Sequence, residues 1–282
     1  MPKISVLILF LMSAVICQAE WSEPLTIEKL LAITEEELKT ELPKFDIACV
    51  NLVCARGLPG AEGLDIEAHL AKLDEWAQRI EHETARNRHL FFRNPEHHNN
   101  SLAFYRIGML VTVLMQDMGV RFNPELIESR ALYDMESTRF YRDSSDLFIH
   151  GLLSPRPWGT CASMPVLVVA IGRRLGYPLK LVRAKAHLFA RWDSEDERFN
   201  VEVTGRGWNP HPDSHYRQWP FPFTKEEEQA NRFLKSLSPA EVLADFLGNR
   251  AACLKEHKRD TEAQKVLETV TRIYRIYDER SN

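Results

Sequence analysis

The chain has 282 residues, 44% hydrophobic and 27% charged, with 12 Gly, 15 Pro and five Cys. That composition excludes a low-complexity, collagenous or disordered chain, and the length is enough to bury a real core in one large domain or two small ones. A formal net charge of -4, from 36 basic and 40 acidic residues, offers no cationic excess to neutralise phosphates. It argues against nucleic acid or an anionic membrane as a partner.

At the N-terminus Lys3 supplies a positive charge, and Ile4 to Ile16 is an apolar run interrupted only by Ser5 and Ser13. Cys17-Gln18-Ala19 then places small residues where a signal peptidase cuts. The run is short for a bilayer crossing, so residues 1–19 read as a secretory signal peptide, with an uncleaved anchor as the alternative. A lipoprotein site at Cys17 is disfavoured by the bulky Ile16 before it. No other stretch approaches transmembrane length. The expectation is an extracytoplasmic protein, periplasmic or secreted, that starts near Glu20 and has no integral membrane segment after signal removal.

From about Thr26 to Arg130 the pattern is helical, with no strand-like alternation. Asp46 to Arg56 reads as one helix, Gly57 to Gly63 as a turn-rich break, and Leu102 to Met118 as another helix closed by Gly119. Asp65 precedes Ile66, Leu70, Leu73, Trp76 and Ile80, one apolar stripe at spacings of three and four. Cys49, Cys54 and Cys253 read as buried structural thiols, since four cysteines after signal removal are too few for a disulfide framework.

After residue 154 the character changes. Met164 to Leu175 predicts a buried helix stopped by Gly176 and Pro178. Three strand-like runs follow, at Leu179 to Ala184, Ala186 to Trp192 and Arg198 to Thr204. The polar Asp193-Ser-Glu-Asp196 between the last two predicts an antiparallel hairpin. Asn209 to His215 reads as irregular, and the aromatic run Tyr216 to Phe223 as packing across the surface. Ser238-Pro239-Ala-Glu241 is a capping box that starts a pair of helices. Such a lone helical hairpin must pack onto the preceding domain to bury its face.

Cys161 is the residue with chemistry in its surroundings. Pro165 forces the following helix to begin near it, and the positive end of a helix dipole favours the thiolate. The backbone N–H groups of Cys161 and the next residues are candidate oxyanion donors. His187, on the middle strand, would complete a nucleophile–base pair. If Trp192 pairs with Glu197 across a four-residue loop, His187 lies opposite Glu202, with Asn200 one diagonal away. Asp193 lies about 20 Å along the same strand from His187, too far to orient it. His211 and His215 have a metal-compatible spacing, but Pro210 and Pro212 argue for a loop, and no Cys/His ligand frame surrounds them. No metal and no cofactor is expected.

Three blocks, Arg156-Pro-Trp-Gly-Thr-Cys161, Ala186-His187-Leu-Phe-Ala-Arg and Phe199-Asn-Val-Glu202-Val-Thr-Gly205, resemble the Cys, His and acid blocks of the transglutaminase-like superfamily. The stretch Asp46 to Asp74 adds a similarity to its SirB-type branch, which joins a helical region to a transglutaminase-like core and a tetratricopeptide-like tail. The resemblance implies an α+β fold: a helical N-terminal region (20–150), a papain/transglutaminase-like core with a small antiparallel sheet (151–224) and a C-terminal helical hairpin (225–282). It implies a cysteine hydrolase or acyltransferase acting on amide bonds of a protein or peptide substrate. Cys161 would be nucleophile, His187 general base and acid, and Glu202 the orienting carboxylate, with Asn200 as the alternative orienter. Two departures stand out: Glu202 replaces the family's aspartate, and no glutamine lies just upstream of Cys161. The competing reading is a non-catalytic binding module that reuses the fold.

Overall fold

The structure, a computed structural model, describes residues 24–128 and 138–278. The expected signal peptide and the Cys17 site lie outside the described residues. Helices α1 (Ile27–Ala32), α2 (Glu35–Thr40), α3 (Ile47–Ala55), α4 (Ile66–Arg86), α5 (Arg88–Arg93) and α6 (Leu102–Thr112) come first. α3 is buried along its whole length, whereas α4 shows one apolar face and is capped by the Asp65 side chain on the Ala68 N–H. α6 is followed by a wider π-helical turn, Val113–Asp117, and Gly119 closes it at φ +74°.

This half does contain a strand. β1 (Arg121–Phe122) pairs in parallel with β2 (Trp158–Gly159), two residues each and too short to show alternation in sequence. Between them lie the short helices α7 (Pro124–Glu128), α8 (Ser144–Leu147) and α9 (Ile149–Leu152). The β1–β2 pairing brings the segment before Cys161 against the end of the N-terminal helices.

α10 (Met164–Arg174) is the central helix, with every residue from Met164 to Gly172 buried. It packs on α3 and α4 on one side and on the sheet on the other. That sheet has the order β3 (Leu179–Ala184), β4 (His187–Asp193), β5 (Arg198–Val201), antiparallel throughout. The short α11 (Asp213–Tyr216) and α12 (Lys225–Ala230) lead to α13 (Pro239–Glu256) and α14 (Asp260–Asp278), the helical pair. The capping box of Ser238 and Glu241 is formed, and α13 packs on α3, so one apolar cluster runs from Leu25 to Ile273. The fold is α+β, with helical regions before and after a small antiparallel sheet. Among the described residues no helix is long and apolar enough to cross a membrane.

The hairpin register differs from the expected one. Trp192 pairs with Phe199 and Asp193 with Arg198, so the loop is Ser194 to Glu197 rather than Asp193 to Asp196. Ser194 causes the shift: its hydroxyl donates to the Glu197 carbonyl at 3.0 Å and accepts the Glu197 N–H at 3.1 Å, closing the loop one residue later. The sum of paired positions moves by two, an even number, so every side chain keeps its face.

Candidate active site

Cys161 sits in a turn just ahead of α10, whose N-cap is Ser163. Side-chain bonds hold the turn. The buried Thr160 hydroxyl donates to the Asp146 carbonyl at 2.7 Å and accepts the Ala162 N–H at 3.1 Å. Ser163 Oγ donates to the same carbonyl at 3.0 Å and accepts the Thr160 N–H. The Thr160 carbonyl takes the N–H groups of Ser163 and Met164. These bonds correct the expectation of several open oxyanion donors: of the N–H groups from Cys161 to Met164, only that of Cys161 has no hydrogen bond within the described residues.

Gly159 is required by close approach. A Cβ there would lie 2.6 Å from Leu152 Cδ2 and 2.6 Å from Ser163 Oγ. Gly159→Ala should therefore push the Cys161 turn outward and cost about 1–3 kcal/mol, the range for overpacking. Denaturant unfolding measures the loss, and the rate of Cys161 alkylation should fall with it.

His187 opens β4 after a tight turn in which Ala186 takes a left-handed conformation at φ +54°. Its Nε2 is 2.7 Å from Glu202 Oε2, and the two side chains are 3% and 5% exposed. With Nε2 committed, Nδ1 is the ring nitrogen left for the neighbouring Cys161 thiol, which together with Glu202 favours the charged ring. Glu202 lies just past β5, in an isolated bridge with Asn209. The observed register, extended by one position, places it opposite Phe189 rather than His187. The longer glutamate side chain spans the resulting diagonal, which an aspartate would not reach as readily.

The rest of the Glu202 carboxylate is saturated. Oε1 accepts from the Thr204 N–H at 2.9 Å and the Thr204 hydroxyl at 2.6 Å, and Oε2 also accepts from the Tyr216 hydroxyl at 3.2 Å. Burial opposes ionisation of Glu202, but the His187 bond and charge and the Thr204 donors outweigh it and hold the carboxyl at about 2. Burial likewise opposes a charged His187 ring. The bonds and charges of Cys161 and Glu202 overcome it and raise the ring to about 9. The pair therefore rests as imidazolium and carboxylate at neutral pH.

Tyr216 and Thr204 were not singled out in the sequence as site residues. Tyr216, expected on the surface, is fully buried and stacks on Phe189 with ring centroids 3.8 Å apart. The Trp219 ring meets His187 edge-on at 4.7 Å. The sequence signal was the aromatic density after residue 215, which marks a cover for the buried pair.

Asn200 makes no hydrogen bond with His187 among the described residues. It pairs with Arg191, accepts from its Nε at 2.7 Å, and donates from its amide to the His211 carbonyl and Asp213. Its role is to satisfy Arg191, a cation only 1% exposed. Asn200→Ala should thus cost about 1–3 kcal/mol by leaving a buried donor unpaired, seen as a lower denaturant midpoint, with the Cys161 alkylation rate unchanged. Asp193, at the far end of β4, accepts from Ser236 at 2.7 Å and forms an ion pair with Arg198 at 3.3 Å.

His211 and His215 are brought together, rings stacked at 4.0 Å, and His215 lies in the short α11 rather than a loop. Among the described residues they gather no third ligand. Of the other cysteines, Cys54 and Cys253 are free and buried, and burial pushes their thiols up to about 12 and about 11. Cys49 is buried on α3 as well.

Cys161 and His187 open into one cleft of about 440 Å³, within the range of small-ligand sites. Aromatic rings of Tyr141, Phe221 and Phe233 line it, and its far wall comes from α13 and α14. A second hollow of about 360 Å³, between Arg139, Asp143, Arg156 and Trp158, contains neither residue. The family model described as the transglutaminase-like superfamily matches residues 67–247, which include all three blocks. No curated protein and no solved structure matches the chain.

Proposed function

The chain belongs to the transglutaminase-like superfamily, and from that premise we propose that it is a cysteine hydrolase or acyltransferase that cleaves amide bonds through Cys161, His187 and Glu202. The observation that carries the reading is the buried His187–Glu202 pair at 2.7 Å, which shares an open cleft with the free, partly exposed thiol of Cys161. Buried structural histidines do not need an ionised carboxylate and an accessible thiol on opposite ring nitrogens.

In the proposed reaction the Cys161 thiol proton resides on His187 Nδ1, and the thiolate attacks the substrate carbonyl carbon. The Cys161 N–H donates to the developing oxyanion. His187 returns the proton to the departing amine, leaving a thioester on Sγ. Water or an amine then attacks the thioester, gives its proton to His187, and releases the thiolate, which restores the starting pair. Glu202 keeps its charge throughout, fixes the ring orientation and stabilises the imidazolium.

The SirB-type branch, with a tetratricopeptide-like tail after residue 225, is the finer assignment, supported by the Asp46 to Asp74 similarity and by the helical pair α13–α14. Export rests on the order Lys3, Ile4 to Ile16, Cys17-Gln18-Ala19. The discriminating experiment is His187→Ala: alkylation of Cys161 by iodoacetamide at neutral pH should slow markedly. An unchanged rate would favour the non-catalytic module.

A further inference from the structure

The part of the cleft wall that comes from α13 and α14 is not apolar. Ala244, Asp245, Gly248 and Asn249 of α13 face it, together with Arg183 of β3 and Tyr274 of α14. Spacings of three and four put the α13 residues on one helix face. Gly248 opens directly onto the cleft, because a Cβ there would meet nothing within 4 Å. It is a shallow groove floored by small residues and edged by polar ones.

The polar groups at its edge are partly used. Arg183 Nη1 donates to Asp245 Oδ1 at 2.5 Å and to the Tyr274 hydroxyl, which in turn donates to Asp245 Oδ1 at 3.2 Å. Arg183 Nη2 donates to the Asn231 carbonyl at 3.2 Å. Asp245 Oδ2 and the whole Asn249 carboxamide make no hydrogen bond among the described residues. The wall is charge-balanced, since Arg183 and Asp245 form an ion pair with side chains 20% and 17% exposed. An anionic ligand placed there would face Asp245 and a cationic one would face Arg183. A neutral group with both an N–H and a C=O suits it: the N–H for Asp245 Oδ2, and either group for the Asn249 amide.

We infer that this face of α13, with Arg183 and Tyr274, is a subsite that the C-terminal helical pair adds to the cleft and that binds the backbone of a substrate polypeptide. The inference rests on the proposed function of Cys161. The C-terminal helical pair is then part of the substrate site. Substrate amides pair with Asp245 and Asn249 over the Gly248 floor, and apolar side chains lie on Phe221 and Phe233.

The test compares alkylation of Cys161 by iodoacetamide with alkylation by tripeptides carrying the electrophile, an iodoacetyl group on the amino end or a chloromethyl ketone on the carboxyl end. At least one peptide series should raise the peptide-to-iodoacetamide rate ratio roughly tenfold over a single-residue control. N-methylation of one particular backbone amide should abolish that gain in the natural chain. Gly248→Leu, which fills the groove without unpairing a buried charge and replaces glycine by a better helix former, should abolish it too, and Asp245→Asn should reduce it. A gain that survives Gly248→Leu and every N-methylation overturns the subsite. Failure of iodoacetamide to single out Cys161 would instead overturn the nucleophile itself. Selective labelling without any peptide gain defeats only the subsite.

Discussion

Glu202→Gln should slow the alkylation of Cys161 at neutral pH by roughly fourfold, because a ring raised to about 9 is almost fully charged at pH 7, whereas one returned to its ordinary 6.5 is about a quarter charged. Asp193→Asn should leave the rate unchanged, since Asp193 is engaged with Ser236 and Arg198 at the other end of β4. Glu202→Gln should also destabilise the fold by about 3 kcal/mol, the lower end for removing one partner of a buried ion pair. The loss should depend on pH in a defined way. Glu202, held down to about 2, contributes stability that is fully present above its ordinary value of 4.5 and disappears as pH falls toward 2. His187, raised to about 9, contributes stability that is fully present below its ordinary value of 6.5 and disappears as pH rises through 9. The difference in unfolding free energy between natural and Glu202→Gln proteins should therefore be largest in mildly acidic solution and shrink on both sides. A difference that grows toward alkaline pH would contradict the ion pair.

The second large effect concerns thiol selectivity. Burial lifts Cys54 from 9.0 to about 12, so at neutral pH it is about a thousandfold less ionised than an ordinary thiol; Cys253, at about 11, is lower by about a hundredfold. Both are also shielded from reagent, whereas Cys161 is partly exposed in the cleft. A single equivalent of iodoacetamide on native protein should thus modify Cys161 alone, read by peptide mass mapping. Cys161→Ser should remove all fast labelling and leave the melting temperature within a few degrees. Labelling of Cys54 or Cys253 at a comparable rate would mean that the helical region opens far more readily than its packing implies.

Much of this was legible in sequence where local chemistry decides the outcome. The α13 start followed from Ser238, Pro239 and Glu241, and α4 from Asp65 and its apolar stripe, because caps and periodicity act within a few residues. The same is true of α10, where Pro165 fixes the start beside Cys161. The proximity of His187 and Glu202 was also legible, although through the wrong register. Ser194 closes the loop one residue later than the polar run suggests, and a two-residue change in pairing preserves the face, so the contact remains.

What sequence did not show was set by long-range contacts. The β1–β2 pair joins positions nearly forty apart through only two residues each, with no periodicity to detect. Tyr216 is amphipathic, and nothing in its neighbours tells whether its hydroxyl meets water or Glu202. Asn200 and Glu202 share a face, and only the demand of the buried Arg191 for an acceptor decides which of them is left for His187. The contribution of α13 and α14 to the cleft likewise depends on how the helical pair docks. A helix pattern gives the apolar face but not the identity of the surface beside it.

The central claim is that His187 and Glu202 hold Cys161 as a nucleophile, and the most direct measurement is the rate of Cys161 alkylation by iodoacetamide from acidic to alkaline pH. The rate should show a step near pH 9, where the imidazolium loses its proton, and His187→Ala should lose that step. A rate that rises tenfold per pH unit through neutrality in both proteins, as for an isolated thiol, would contradict it.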